Sequence, residues 1–501
     1  MPFDSIFSWI IKKRIEQINH FSENPILTQN DLLKSLIKTA KNTEFGKQHG
    51  FSSIKNYKGF KENIPLRTYE DFTEFIKKSI AGEKDILWQG KTTWFSKSSG
   101  TTDSKSKLIP VTTEAIQDCH YKGGKDLLSI YYHNNPNAKL FSGKHLILGG
   151  NTSLNKLNKD SYFGDLSAII VKNLPFWAEI RRTPKKQITL MENWEEKIEK
   201  MAIASLKEDV KIIAGVPSWM LVLLNKVIEV SGKNNIGEVW KNLEFYMHGG
   251  VNFEPYRNQF NQILGLPNLN YYQTYNASEG FFSLQNENKA TDMLLMLDYC
   301  IFYEFIPMSK FNGTDSETIS LEEVEIGKNY ALVITTNAGL WRYLLGDTVV
   351  FTSLKPFKIK VSGRTKHFIN SVGEELIIEN TDNAISIAQQ KTNSTVKDYT
   401  VAPIYLKNKE KGKHHWLIEF NTKPKNLDLF TQILDQELKN LNSDYEAKRT
   451  DNMVLDIPKL TTLPTGTFYN WLKTKGKLGG QNKIPRLSND RVFLEEILKL
   501  L

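Results

Sequence analysis

The sequence predicts an α/β fold: a large N-terminal α/β domain followed by a small α+β lid. Three observations carry this expectation. Short β-branched runs that close on turn residues alternate with runs whose apolar residues recur three and four positions apart, the signature of strands and helices around a shared core. A chain of 501 residues exceeds what one hydrophobic core normally organises, so more than one compact unit is expected. After Gly363-Arg364-Thr365-Lys366 the pattern shifts to two strand candidates and an amphipathic helix.

Taken in order, the apolar N-terminal stretch Met1 to Lys12 lacks a preceding basic region and a following small-residue cleavage site, and reads as a packing helix rather than a signal. Ile26, Leu32, Leu33, Leu36 and Ile37 fall at helical spacing. His145-Leu146-Ile147-Leu148 closing on Gly149-Gly150 reads as a strand. Met191, Trp194, Ile198 and Met201 predict a core helix, and Pro217 suits the first turn of another running through Trp219 to Leu224. Tyr330 to Thr336 is a β-branched strand. In the last third, strands are expected over Tyr399 to Leu406 and Trp416 to Phe420, then a helix presenting Leu427, Phe430, Leu434 and Leu438. No internal repeat is evident, which excludes a solenoid.

Composition narrows the class. Hydrophobic residues make up 40% and charged residues 24%, ordinary for a soluble globular protein. Cys119 and Cys300 are the only cysteines, far apart and without metal-ligand spacing, so neither a disulfide framework nor a zinc site is expected and a reducing cytoplasm fits. No run of about 18 apolar residues is present, so no membrane span is expected. The net charge of +9 comes from scattered lysines rather than one dense block, and no nucleic-acid partner is expected.

Three segments carry chemistry. Ser98-Ser99-Gly100-Thr101-Thr102-Asp103-Ser104-Lys105-Ser106-Lys107 combines hydroxyl donors, a glycine that lets backbone N–H groups approach, and mobile ammonium charges, a set suited to phosphate. It lacks a second glycine before lysine, which argues against the Gly-x-x-x-x-Gly-Lys nucleotide loop, and an ordinary polar turn remains an alternative. Tyr271 to Gly280 offers an aromatic ring for a purine, a hydroxyl in Ser278 for phosphate and a carboxylate in Glu279 for Mg2+; a strand ending in a polar turn is the plainer reading. Leu340 to Asp347 places a carboxylate behind a glycine turn, able to accept both ribose hydroxyls, with an Arg342–Asp347 surface pair as the alternative.

In this order and spacing the three segments resemble the adenylate-forming superfamily of acyl-CoA synthetases, luciferases and adenylation domains. The closer resemblance is to the auxin-responsive-promoter (Gretchen Hagen three) family of acyl-acid amido synthetases. It covers nearly the whole chain, through Thr43 to Lys47, Ile64 to Asp71, Lys107 to Thr112, Gly215-Val216-Pro217-Ser218-Trp219, Tyr303 to Pro307, Val324 to Asp347, Gly363-Arg364-Thr365 and Gly479 to Leu487. It implies an N-terminal ATP- and acyl-acid-binding domain over 1–362, a hinge at 363–366 and a mobile C-terminal lid over 367–501.

By position in the resemblance, Ser98, Ser99, Gly100, Thr101 and Thr102 would hold the ATP phosphates, Tyr275 would pack on adenine, and Gly249 and Gly250 would pass close to it. Ser278 would contact the α-phosphate, Glu279 would ligate Mg2+ and act in catalysis, and Asp347 would bind ribose. Lys366 would occupy the hinge, with a plain surface lysine as the alternative. Lys483, approached through Gly479-Gly480, would stabilise the α-phosphate transition state; Lys477 is the runner-up in a lysine-rich region. Asp103 stands where relatives often have glycine, and Tyr275-Asn276-Ala277-Ser278-Glu279 replaces Tyr-Gly-Ser-Ser-Glu, which keeps the second hydroxyl, at Ser278, and the carboxylate of Glu279.

The implied activity is an ATP- and Mg2+-dependent ligase that adenylates a small carboxylic acid and passes the acyl group to an amine, the implied partners being that acid and an amino acid or other amine acceptor, in a monomer. The alternatives are an acyl-CoA synthetase with a thiol acceptor and a catalytically inactive binding protein.

Overall fold

The computed structural model describes the chain except Met1, 99–106, 150–153, 192, 251–252, 254–255, 366–367, 370–375, 405–411, 443–444, 447–448, 450–454, 477–483 and 489–490. It divides into two compact units. One comprises Met1–Gly250, Ile263–Leu345 and Val349–Lys360; the other comprises Val251–Gln262, Gly346–Thr348 and Val361–Leu501. The short segments 251–262 and 346–348 have no counterpart in the sequence-based boundaries.

In the first unit the helix Pro25–Ala40 starts with proline in its first turn and buries Leu33, Leu36, Ile37 and Ala40, the apolar stripe its spacing predicts. The helix Pro217–Ser231 also opens on proline and stops at Gly232, whose φ of +66° closes it in the left-handed conformation. The helix Trp194–Ser205 begins later than its apolar spacing indicates. Asn193 caps it, accepting from the Glu196 N–H at 2.9 Å, so Met191 lies outside it. The N-terminal helix Pro2–Glu23 is fastened by Arg14, whose guanidinium reaches Asp126 and Asp298, each at 2.6 Å.

The strands in chain order are β1 (Trp94–Ser98), β2 (Lys107–Val111), β3 (Lys144–Leu148), β4 (Asn155–Lys156), β5 (Tyr162–Gly164), β6 (Arg182–Thr183), β7 (Val210–Gly215) and β8 (Phe245–Gly249). They continue with β9 (Asn270–Ala277), β10 (Gly280–Leu284), β11 (Met293–Leu295), β12 (Ile301–Pro307), β13 (Asn329–Thr336), β14 (Tyr343–Leu354) and β15 (Phe357–Arg364). Four of them form a small sheet in the order β2-β1-β5-β4; the other eleven form one sheet in the order β12-β13-β14-β15-β11-β10-β9-β8-β7-β3-β6.

Strand β9 is where the large sheet changes character. On one side β6, β3, β7, β8 and β9 run parallel; on the other, β9 pairs antiparallel with β10. Parallel strands align their carboxyl ends along one edge, which is where open α/β sheets place ligands. Gly149 follows β3, Gly215 ends β7, Gly249 ends β8 and Ala277 ends β9 along that edge.

The second unit is built on the small pair β16 (Phe368–Ile369) and β17 (Leu376–Ile377), and on β18 (Thr395–Ile404), β19 (Lys413–Thr422) and β20 (Lys459–Leu463). In the three-stranded sheet β18 and β19 are antiparallel while β19 and β20 are parallel. Alternation along β19 sends Trp416 and Ile418 to one face, against Ile385, Phe430, Leu434 and Leu438 from two helices. It sends Leu417 to the other, against Phe468, Trp471 and Leu494. Covering both faces explains why β19 is buried without a break from His414 to Phe420.

Candidate active site

The residues Ser278 and Glu279 form the two-residue turn between β9 and β10, whose flanking residues Ala277 and Gly280 pair directly. A Cβ at Gly280 would stand 2.6 Å from the end of the Ile301 side chain, which would have to shift. Ser278 is buried and its Oγ accepts a hydrogen bond from the Ser96 hydroxyl at 2.9 Å. Ser96 lies in β1, the strand that leads into the Ser98 to Thr102 segment, so this bond ties that strand to the hairpin carrying Glu279. Sequence reasoning missed Ser96; its only signal was a polar residue inside an otherwise apolar strand start.

Ser98 ends β1, while Ser99, Gly100, Thr101 and Thr102 lie outside the described residues. The chain returns at Lys107, paired with Ser98 in the β1–β2 ladder. Tyr69 secures that return: its hydroxyl oxygen accepts from the Leu108 N–H at 2.9 Å, and its ring lies 5.4 Å from the Lys107 ammonium. Burial raises the Tyr69 hydroxyl above its ordinary value, so it stays protonated.

Tyr275 is buried in β9 and its ring lies 4.8 Å from that of Phe282. Gly249 faces Thr274 across β8 and β9. A Cβ at Gly249 would come within 2.5 Å of the Thr274 carbonyl oxygen, so only glycine permits this approach. Gly250 follows with φ +81°, a left-handed conformation that turns the chain at the carboxyl edge. Beside that edge Lys197 is buried and donates to the Gly149 carbonyl at 3.1 Å. Burial pushes its ammonium down to about 8, opposed by the charge of Asp165.

In the second unit, Asp347 does not follow a glycine turn as the sequence reading expected. Gly346 and Asp347 sit inside the twelve-residue strand β14, with Gly346 at φ +89° as a kink whose carbonyl accepts from the Thr365 N–H at 2.9 Å. A strand interrupted by a left-handed glycine reads as a turn to any local pattern. Nor does Asp347 pair with Arg342. Its Oδ1 lies 3.1 Å from Nε of Arg364, whose side chain is 44% exposed. In the first unit, Arg342 is buried and fixed by Glu304 at 2.9 Å, the Ile64 carbonyl at 2.6 Å and the Thr318 hydroxyl at 2.8 Å.

Lys366, Lys477 and Lys483 lie outside the described residues. The chain just after Lys483 is held on β18: the Val401 N–H donates to the Arg486 carbonyl at 2.9 Å and the Ser488 N–H to the Val401 carbonyl at 3.1 Å. The Arg486 guanidinium stacks 4.3 Å from the Tyr399 ring and bonds Asp398 at 2.6 Å. Among the described residues no group of three or more His, Cys, Asp or Glu is arranged to hold a metal ion. A half-buried carboxylate such as Glu279 suits Mg2+ shared with phosphate oxygens, since that ion keeps several waters and takes one or two protein carboxylates.

The GH3 family N-terminal domain matches residues 14–269, the central domain 294–364 and the C-terminal domain 379–492. The chain belongs to the GH3 family. It is 23% identical to indole-3-acetic acid-amido synthetase GH3.3 of Arabidopsis thaliana, with 95% of this chain and 91% of that relative aligned. It is 26% identical to jasmonoyl–L-amino acid synthetase GH3.5 of Oryza sativa subsp. japonica, over 67% of this chain and 70% of the relative. The fold of this GH3 chain is also that of the AtGH3.15 acyl acid amido synthetase solved in complex with 2,4-DB, with TM-score 0.79, 16% identity, and 98% and 96% of the two chains covered. A more distant likeness joins it to 2-hydroxyisobutyryl-CoA ligase in the postadenylation state, at TM-score 0.56 and 12% identity, covering 98% of this chain and 91% of that one. The mixed α/β architecture expected from the sequence is therefore shared with both of these solved structures. Among the described residues no helix is long and apolar enough to cross a membrane.

Proposed function

We propose that this GH3 chain is an ATP-dependent acyl-acid amido synthetase, which converts a small carboxylic acid to its acyl-AMP and transfers the acyl group to an amine, an amino acid being the favoured acceptor. The observation that carries the reading is the Ser96–Ser278–Glu279 arrangement. It holds a hydroxyl and a carboxylate in a tight turn at the carboxyl edge of the parallel strands, in a chain aligned along 95% of its length with an amido synthetase.

In this mechanism the substrate carboxylate attacks the α-phosphorus in line, the bond to the β-phosphate oxygen breaks, and pyrophosphate leaves. An amine then attacks the acyl carbonyl, AMP leaves with the bonding pair, and the ammonium proton passes to solvent or base. Ser278 would donate to the α-phosphate, the hydroxyls and backbone of Ser98, Ser99, Gly100, Thr101 and Thr102 would hold the phosphates, and Asp347 would accept from the ribose hydroxyls. Tyr275 would flank the adenine, and Gly249 and Gly250 would leave room for it. Lys483 would meet the charge that spreads over the α-phosphate, with Lys366 at the hinge. Mg2+, held by Glu279, would supply charge neutralisation on the phosphate oxygens. The reading extends to a monomer working in the cytoplasm, in keeping with two unpaired cysteines.

The test is a panel of acids and amino acids screened for acid-dependent pyrophosphate release, with the product identified by mass. An amide supports the proposal. A CoA thioester formed in preference would reassign the acceptor, and no release with any acid would point to an inactive binding protein.

A further inference from the structure

A cavity of about 650 Å³ lies between the helix Pro25–Ala40 and the segment that runs from Phe51 into the helix Tyr57–Asn63. None of the candidate active-site residues lines it. Its volume is that of a site for one small organic molecule. Ile26, Phe51 and Ile54 are among the apolar residues that line it, and Lys38, Lys41 and Lys55 line it as well.

The charge on the cavity walls is one-sided. Lys38 lies in the last turn of the helix and Lys41 is its C-cap three residues on, while Lys55 comes from the segment between Phe51 and the helix Tyr57–Asn63. Two further wall lysines already have carboxylate neighbours, Lys34 with Asp31 at 3.2 Å and Lys58 with Glu62 at 4.0 Å. Lys38, Lys41 and Lys55 have no hydrogen bond or ion pair to another described residue, and Glu322 is the single acid that lines the cavity. The wall also includes Tyr57, whose hydroxyl is committed elsewhere, donating to Glu304 at 3.0 Å, so it offers a ring rather than a polar group.

Lys38, Lys41 and Lys55 are exposed and hydrated; an inorganic anion would leave the apolar lining against water, and a neutral apolar molecule would make no use of the one-sided charge. We propose that the cavity is a binding site, separate from the catalytic one, for an amphiphilic organic anion: a carboxylate or phosphate monoester head on an apolar body. The head is held by Lys38, Lys41 and Lys55, and the body lies on Ile26, Phe51 and Ile54. Ammonium groups act as point charges and accept either head.

Calorimetry with full-length protein at low salt, titrating octanoate, octyl phosphate and the neutral 1-octanol, tests this. Both anions are expected to bind at least about tenfold more tightly than 1-octanol, and to weaken about tenfold or more in the Lys38→Gln/Lys41→Gln/Lys55→Gln variant, as counter-charges lost at one site dictate. The variant's acid-dependent pyrophosphate release should stay within about twofold of the parent, which separates this site from the catalytic one. Whichever anion binds more tightly assigns the head group. Ile54→Glu, which sets a carboxylate in the apolar lining, should abolish binding at an unchanged melting temperature and covers the case in which the triple variant fails to fold. Equal affinity of parent and folded triple variant, or 1-octanol binding as tightly as the anions, would overturn the proposal.

Discussion

Arg342 and Asp347 stand close together in the sequence, and each pairs with an opposite charge, yet the two pairs differ in kind. The Arg342–Glu304 pair is closed. Glu304 accepts from Arg342, Tyr57 and Thr318, both side chains are all but sealed from solvent, and Arg342 takes the left-handed φ of +47° that this fit imposes. The Asp347–Arg364 pair is open, at 3.1 Å and with a partner that solvent reaches. A saturated buried pair has no valence left for a ligand and acts as scaffold; a carboxylate whose partner is loosely held can exchange it for ribose hydroxyls.

The largest effect expected from that contrast is on folding. Glu304→Ala strands the Arg342 charge in the interior and should destabilise the protein by about 3–5 kcal/mol, seen in denaturant unfolding; a loss under about 1 kcal/mol would make the pair as dispensable as the open one. Glu279→Gln should leave the melting temperature in place while cutting acid-dependent pyrophosphate release by roughly two or more orders of magnitude, as when metal-held charge is lost. Near-parental turnover would remove Glu279 from the site. Asp347→Ala should weaken ATP binding by about 1–3 kcal/mol in calorimetry, the range for hydrogen bonds to a charged group, and unchanged affinity would contradict the ribose role.

A buried group without a counter-charge extends the comparison to pH. Burial pushes His120 down to about 4, so between its ordinary 6.5 and that value the unfolded chain binds a proton that the folded chain refuses. Stability should therefore fall as pH drops from about 6.5 toward 4, with a slope of up to about 1.4 kcal/mol per pH unit from this residue. A pH series of unfolding midpoints on His120→Gln should show a shallower slope, and an identical slope would clear His120. Smallest of all, Arg364→Ala should change stability by less than about 1 kcal/mol, the worth of a solvent-reached pair.

Much of the fold was legible because it rests on periodicity. The stripe Leu33, Leu36, Ile37 and the proline-led run from Pro217 became the helices they indicated, and Tyr330 to Thr336 lies within β13. Illegible features were those made by residues distant in sequence. Nothing near Arg342 announces Glu304 or Thr318, so the nearest acid, Asp347, looked like its partner. The strand β14 was hidden by Gly346, and β20 by its shortness and its two threonines. In the candidate site Ser278 and Glu279 were readable as a polar turn after a strand, but the Ser96 hydroxyl that fixes Ser278 came from β1.

The turn that carries Ser278 and Glu279 has no slack. Two residues close it between the paired Ala277 and Gly280, and the strands on either side are locked into neighbours. Successive residues of a strand point to opposite faces, so one inserted or deleted residue would swing a hydroxyl and a carboxylate away from each other or push the error down a whole ladder. Length here behaves like a reading frame: side chains in this turn can be exchanged one at a time, but the number of them cannot drift. Engineering that alters this enzyme's chemistry has room in substitutions at the hairpin, and in insertions only elsewhere.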